Sequence, residues 1–452
     1  MQSTLRFEAE MTEKFNLLQE LQQSQEQDVI NQKQRESDAL NHNRLKKDNK
    51  LMYVPTNHAS INLLDDTESG FLSLANSVIS GGISSIFDMF LGSYVLLERQ
   101  NLEDLLQRLS SEEDSTSEGV GMNSGSSSTF GNIYGSSTSM FVFIKNSIKR
   151  CTALTNGQTF LSLSKEFKTC MIHYIELLMK RIPPGVTHGS SKLVTYVIPP
   201  NGELNMCYLI NTGEYCAEVV PQLEIMIQQK MVPSLSDKVS FETEVDAFMD
   251  LVAHCIKVLV SGILERLEVS FRTMQSINWA GFTTVGEESA YLHMVNGVLL
   301  EAIPKIRQSL SPSYFNNVCN KIATEILQRY LDVILKQKHI SDMATQQLLL
   351  DTYNMKAVLT QLPNLTDPNQ SHSAGSSGSS SSNKMANSMY LKLVNNKIAH
   401  IEMILKLVGT PEDILLERFR IMWPDGQPSD LQLLMSLKGT KRNDQQVILE
   451  ML

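Results

Sequence analysis

The sequence predicts an all-α protein, an elongated rod of stacked antiparallel helix bundles interrupted by disordered Ser/Gly-rich inserts. Three observations carry that expectation. Apolar residues recur at steps of three and four through most of the chain, the spacing that lines one face of a helix. Aromatic residues make up only 7% while methionine is abundant at 22, a mixture suited to long packed helices more than to sheets. The helical runs stop at Gly or Pro and start at small polar residues, so caps and short joints punctuate them. With 452 residues and 42% hydrophobic composition, the chain can bury cores in two or three domains.

Residues 1–60 read as a partial coiled-coil end followed by a polar linker. Phe7, Met11, Phe15 and Leu18 form an apolar stripe able to join a helix pair, and it fades after Leu21 into an almost wholly polar stretch. Residues 61–109 are expected to be helical, closing on NLEDLLQRL with Leu102, Leu105, Leu106 and Leu109 on one face. Within them, residues 78–97 (VISGGISSIFDMFLGSYVLL) resemble a membrane span in composition. A central Asp88 would cost about 2.5–3.5 kcal/mol on insertion scales and no basic cluster flanks it, so a buried helix in a soluble chain is expected instead. Residues 110–139 are expected to be a disordered Ser/Gly insert. Gly119, Gly121 and Gly125 only faintly echo a phosphate loop, because no strand precedes them and no Lys-Ser/Thr follows.

Residues 140–365 are expected to form a helical-bundle rod. Its helices fall at about 141–156, 159–182, 202–231, 240–277, 290–310, 313–338 and 343–362, by periodicity and by the breakers between them. KLVTYVIP at 192–199 alternates like a strand or hairpin arm. No fixed-period repeat is visible, so a regular solenoid is disfavoured. Residues 366–388 form a second disordered, Ser-rich linker, and 389–452 a C-terminal helical bundle. There Ile398, Ile401, Ile404, Leu405 and Val408 share a face and Gly409 stops the helix. Thr410 is expected to cap the next helix with Pro411 at its first position. Trp423-Pro424-Asp425-Gly426 forms a turn, Ser429 or Asp430 caps a third helix, and Asn443 or Asp444 caps the last.

Little in the chain looks able to do chemistry. The net charge of −10 argues against a nucleic-acid binder, which needs a basic face to displace phosphate counterions. Six cysteines are scattered through apolar segments at no metal-like spacing and read as reduced core thiols. Cys170 and His173 lie three apart but lack a second ligand pair, and His254-Cys255 are adjacent, so they point apart on a helix. Glu242, Glu244, Asp246 and Asp250 open a helix, where acids complement its dipole. No HExxH, GxSxG, Walker or kinase signature occurs, so no enzyme activity, cofactor or metal is expected. The acidic N-terminus is expected to carry no secretory or mitochondrial signal, and the Asn364 sequon to stay unused. Lys438, Gly439, Lys441 and Arg442 remain. In the loop LKGTKRND, Gly439 can take φ > 0, and exposed amides with three cations suit an acidic peptide or a lipid headgroup. A solvated charged turn is the plainer alternative.

Several segments carry a family likeness. FDMFLGSYVLLERQNLEDLLQRL, FIKNSIKRCTALTNGQTFLSL, TGEYCAEVVPQLEIMIQQKM, MQSINWAGFTTVGEESAYLHMV, QQLLLDTYNMKAVLTQLPNL, AHIEMILKLVGTPEDIL and LMSLKGTKRNDQQVILEML resemble, in order, the C-terminal half of the vacuolar protein sorting-associated protein 53 family. The resemblance runs from about residue 86 to the end, with the two Ser/Gly inserts as departures. It implies a helical-rod subunit of the Golgi-associated retrograde protein complex or its endosomal sister complex, both multisubunit tethers. Such a subunit captures endosome-derived carriers at the trans-Golgi network and promotes SNARE-driven fusion alongside Rab-type small GTPases. It would lie on the cytosolic face of those membranes. The family's far C-terminal surface falls here on Lys438, Gly439, Lys441 and Arg442. Rival readings are a helical enzyme or GTPase regulator, which needs a pocket with perturbed carboxylates or an arginine finger, and an adaptor working through the C-terminal loop.

Overall fold

The computed structural model describes residues 90–117, 132–187, 194–199, 202–365 and 381–450, with single positions of a helical turn between 6 and 13. Among these the protein is all-α. Its helices are α1 (Gly92–Ser117), α2 (Gly135–Thr152), α3 (Gln158–Met179), α4 (Gly202–Lys230), α5 (Glu242–Ser276), α6 (Ala290–Ser309), α7 (Pro312–Leu335), α8 (Asp342–Gln361), α9 (Ser381–Val408), α10 (Glu412–Met422), α11 (Pro428–Lys438) and α12 (Arg442–Glu450). A single turn at Pro233–Ser236 and two short 3-10 segments complete the helical part. Strands β1 (Gly185–Thr187) and β2 (Val194–Tyr196) pair antiparallel, Val186 facing Thr195. The alternation at 192–199 foreshadows β2, whereas three exposed residues gave no signal for β1.

Three helices reach into the expected inserts. α1 runs past Leu109 to Ser117, and α2 starts at Gly135. α9 likewise starts at Ser381, inside the Ser-rich stretch. The expectations for 14–89, 118–131 and 366–380 lie outside the described residues.

The chain divides into two compact units that interleave in sequence, one of residues 1–120, 138–172 and 221–242, the other of 121–137, 173–220 and 243–452. In the first, α1 lays Val95, Leu102 and Leu106 into a core shared with Met140, Ile144 and Ile148 of α2 and Phe160 and Phe167 of α3. A polar clasp fixes the α1–α2 pair. Glu98, 3% exposed, accepts two hydrogen bonds from Arg150 at 2.7 Å and one from Ser147 at 2.8 Å. The Arg150 guanidinium also lies over the Phe143 ring. Burial by itself would raise the Glu98 carboxyl. The bonds from Arg150 and Ser147 outweigh it and hold the group below the usual carboxylate range.

The second unit is organised by α5, which is long and apolar enough by composition to cross a membrane. Its apolar residues recur as buried positions at helical spacing, among them Phe248, Leu251, Cys255, Leu259, Ile263 and Leu267, as in a core helix. Two glycines allow close approach to it. A Cβ on Gly213 of α4 would lie 2.6 Å from Val252, and one on Gly262 of α5 would overlap Ile198, just beyond β2. Ser261 accepts from the Tyr196 amide at 3.2 Å, so the hairpin seats on α5. Arg266 of α5 bridges Glu203 of α4 at 2.7 Å and Glu301 of α6, and Arg329 of α7 forks onto Glu268 of α5 at 2.6 and 3.0 Å. Further along, α9 packs against both α7 and α8 and meets α10 and α11, while α11 meets α12.

The segment joining α5 to α6 is held over α8 by side chains. Ser341 donates its amide to the Trp279 carbonyl at 3.1 Å and its hydroxyl to that of Phe282 at 3.1 Å. Gln347 accepts from the Gly286 amide and donates to the Glu287 carbonyl. Asp351, wholly buried, accepts from the Ser289 amide at 3.2 Å, the Ser289 hydroxyl at 2.7 Å, Tyr291 at 2.8 Å and Gln347 at 3.1 Å. Ser289 is the N-cap of α6 and its own hydroxyl does not cap. An acid from α8 therefore caps α6, where the helix dipole favours negative charge.

Candidate functional site

The C-terminal bundle is built from α9 to α12, and its joints explain where each loop residue goes. α9 ends at Val408, as the glycine after it demands. Thr410 does not cap α10, because its hydroxyl turns back to the Lys406 carbonyl at 2.7 Å. Pro411 occupies the cap position instead. Nor do Ser429 or Asp430 cap α11. Gln427 occupies that position, and the Asp430 carboxylate, three residues on, accepts from the Gln427 amide at 2.9 Å. The turn closes from Gly426 to Trp423 at 3.0 Å.

At the other end of α11, Gly439 takes φ 79 and no larger residue fits, since a Cβ would meet the His339 ring at 2.7 Å. The Gly439 amide bonds to the Ser436 carbonyl and that of Thr440 to Met435, both at 3.0 Å. This double bond closes the helix as a Schellman motif. The Gly439 and Thr440 amides are therefore spent on closing α11 and are not open to a ligand.

The four loop residues of interest divide into two pairs. Lys438 is half-buried and donates to the Val408 carbonyl at 2.8 Å, so its ammonium serves the C-terminal end of α9. Gly439 supplies the left-handed turn. Between the pairs Thr440, buried, donates to Glu412 of α10 at 2.5 Å and accepts from Gln445 of α12 at 2.7 Å. Lys441 and Arg442 are exposed and stand where α12 begins. The loop is a joint of α9, α10, α11 and α12 with two cations facing solvent.

Elsewhere the side chains considered for chemistry take structural places. All six cysteines are free and buried. Burial pushes the thiols of Cys170, Cys207, Cys255 and Cys319 up to about 12, and that of Cys216 up as well, the opposite of a reactive thiolate. Cys170 is buried while His173 is exposed, so the structure does not bring them together. His254 lies edge-on to Tyr196 at 5.8 Å, and burial, then Lys257, lowers its pKa. No group of three or more His, Cys, Asp or Glu able to hold a metal occurs among the described residues. Periodicity did not reveal Glu98 or Asp351. Each stands three residues after one core residue and four before another (Val95 and Leu102; Leu348 and Met355), so an acid on an apolar stripe was the available sign.

Comparison with known proteins places the chain. A family model for the C-terminus of vacuolar protein sorting-associated protein 53 matches residues 346–440, from within α8 into the loop after α11. A model for the exocyst complex component Sec6 matches residues 138–375. Vacuolar protein sorting-associated protein 53 A of Arabidopsis thaliana is 28% identical over 459 residues, covering 100% of this chain and 52% of its own length. The vacuolar protein sorting-associated protein 53 homolog of Caenorhabditis elegans is 25% identical over 385 residues, covering 81% of this chain and 46% of its own. The chain thus spans about half the length of these curated relatives. The crystal structure of the C-terminal domain of the exocyst subunit Sec6p shares the fold, with a TM-score of 0.56 at 12% identity over 80% of this chain and 89% of that one.

Proposed function

The chain belongs to the family of vacuolar protein sorting-associated protein 53 and, through residues 138–375, to that of the exocyst component Sec6, and from that premise we propose that it is a non-enzymatic subunit of a vesicle-tethering complex. In this reading it acts in retrograde transport from endosomes to the trans-Golgi network, within the Golgi-associated retrograde protein complex or its endosomal sister. It associates peripherally with the cytosolic face of those membranes and promotes SNARE-dependent fusion, with Rab-type GTPases and the companion subunits as partners. The observation that carries the reading is family membership joined to a helical-bundle fold shared with another tether subunit. Polar side chains that tie one helix to another, as Arg266, Arg329 and Asp351 do, support it. Such a protein works by holding surfaces apart and together. Affinity purification of the tagged chain, with identification of what co-purifies, is expected to recover the companion subunits. Recovering none of them with a folded chain would overturn the assignment.

A second reading rests on Lys441 and Arg442 alone, the exposed cations where α12 begins. As an adaptor, the C-terminal bundle would bind acidic peptides or lipid headgroups there. Reversing both charges should then abolish binding to anionic vesicles, and unchanged binding would refute it.

A further inference from the structure

We propose that the groove between α7 and α9 is a docking site for a peptide segment of a partner protein that presents one bulky apolar side chain beside carboxylates. The groove holds a cavity of about 200 Å³, floored by Leu327 and Leu331 of α7 and Ile401 of α9 and rimmed by Gln328, Asn396, Lys397 and His400. Leu327 and Ile401 are each 1% exposed, so the floor is part of the packed core and is formed before anything binds. Sites for small molecules and cofactors run to about 300–1,000 Å³. A cavity smaller than that, apolar at the bottom, matches a single anchor side chain of the kind that carries most of the energy at protein interfaces.

The rim selects the charge of the occupant. Asn396, Lys397 and His400 make no hydrogen bond or ion pair among the described residues, so their donors face the mouth of the groove uncommitted. The neighbouring acids are committed. Asp332 is held by the Gln328 amide at 3.0 Å, and Glu402 by Lys406 at 3.2 Å. No carboxylate lines the cavity, and its one formal charge is the Lys397 ammonium, in a chain of net charge −10. His400 is also set in place. Trp423 meets its ring edge-on at 5.3 Å and in turn packs on Phe419 at 5.8 Å, so α10 and the turn after it brace this side of the rim. The braced His400 ring and the Lys397 ammonium, which has no ion-pair partner among the described residues, fit a carboxylate flanking an inserted side chain. A membrane surface is the poorer occupant, because attraction to anionic lipid accumulates over several basic residues and this concave site offers one.

The test uses the full chain and arrays of heptapeptides carrying one Leu, Met or Phe among Asp and Glu, with matched arrays built on Lys and Arg and on Ser and Gly. The acidic array should bind selectively. The strongest acidic heptapeptide, fluorescein-labelled and followed by anisotropy, should lose at least ten-fold in affinity on Lys397→Glu and on Asn396→Trp, which fills the mouth from an exposed position. Both variants should keep the parent melting temperature. Equal binding of all arrays, binding of none, or acidic binding that survives both substitutions would overturn the proposal. So would anionic vesicle binding that requires Lys397 while acidic peptides do not bind.

Discussion

Glu98 and Asp351 are both buried carboxylates on the apolar stripe of a helix, yet they are stabilised in different ways. Glu98 meets a full positive charge, and the Arg150 side chain that carries it is still 46% exposed. Asp351 meets no guanidinium or ammonium among the hydrogen bonds it makes. Two hydroxyls, a side-chain amide and the backbone amide at the start of α6 surround it. A buried anion can thus be held by one flexible, partly solvated cation or by four fixed dipoles. The second arrangement leaves less room for relaxation, because every donor is itself buried or part of a helix end.

Replacing Asp351 with Ala should therefore cost the most, about 3–5 kcal/mol, since several buried donors lose their acceptor together. Chemical denaturation would measure it, and a loss below about 1 kcal/mol would break the contrast, for then the network does not hold the α5–α6 connection. Arg150→Met should cost less, about 2–3 kcal/mol, because Glu98 can draw in water or a proton once its partner is gone. Adding Glu98→Gln to Arg150→Met should restore most of that loss, and a double-mutant cycle with no coupling would show that the pair is not the clasp.

Acid sharpens the comparison further. The Glu98 pKa is held below its unfolded value, so its stabilisation is complete above the ordinary glutamate pKa of about 4.3 and is lost as pH falls through the folded value. Glu98→Gln should flatten the melting temperature against pH in that window and nowhere above it. His254 acts at milder acidity. Its folded pKa lies below its unfolded one, so its contribution is complete above the unfolded value of about 6.5 and fades as pH falls through the lower folded one. Amide protection factors at 194–196, taken relative to the intrinsic exchange rate at each pH, should fall between pH 7 and 5, and His254→Gln should remove the change. The smallest effects belong to the exposed charges. Lys441→Glu with Arg442→Glu should move stability by no more than about 0.5 kcal/mol, whereas Lys438→Met should cost about 1 kcal/mol through the lost bond to Val408. A calorimetric scan that reversed this order would mean that the two pairs of loop residues have been exchanged.

The contrast also shows what a linear reading reaches. The long helices were legible because burial repeats along them, and in α5 the buried positions follow the apolar pattern almost residue by residue. Gly409 and Gly439 were legible because a left-handed or terminal backbone has few other occupants. Caps at Thr410 and Ser429 were misplaced by one or two residues because several small polar side chains compete at each joint, and the winner depends on which neighbour is in reach. Lys438 could not be separated from Lys441 by local pattern. Its partner is a carbonyl 30 residues earlier, brought close only when α9 and α11 pack. Strand β1 escaped for a similar reason, since it exists only by pairing with β2.

The acid that caps α6 comes from a helix not yet made when α6 emerges. Asp351 follows Ser289 by 62 residues, which a ribosome working at about 5–20 residues per second needs roughly 3–12 s to add. During that interval the nascent α6 has a frayed amino end and the loop before it has nothing to hold it down. The newborn chain thus passes through a stage in which the α5–α6 joint lacks the contacts that later hold it, open to a chaperone or a proteolytic enzyme.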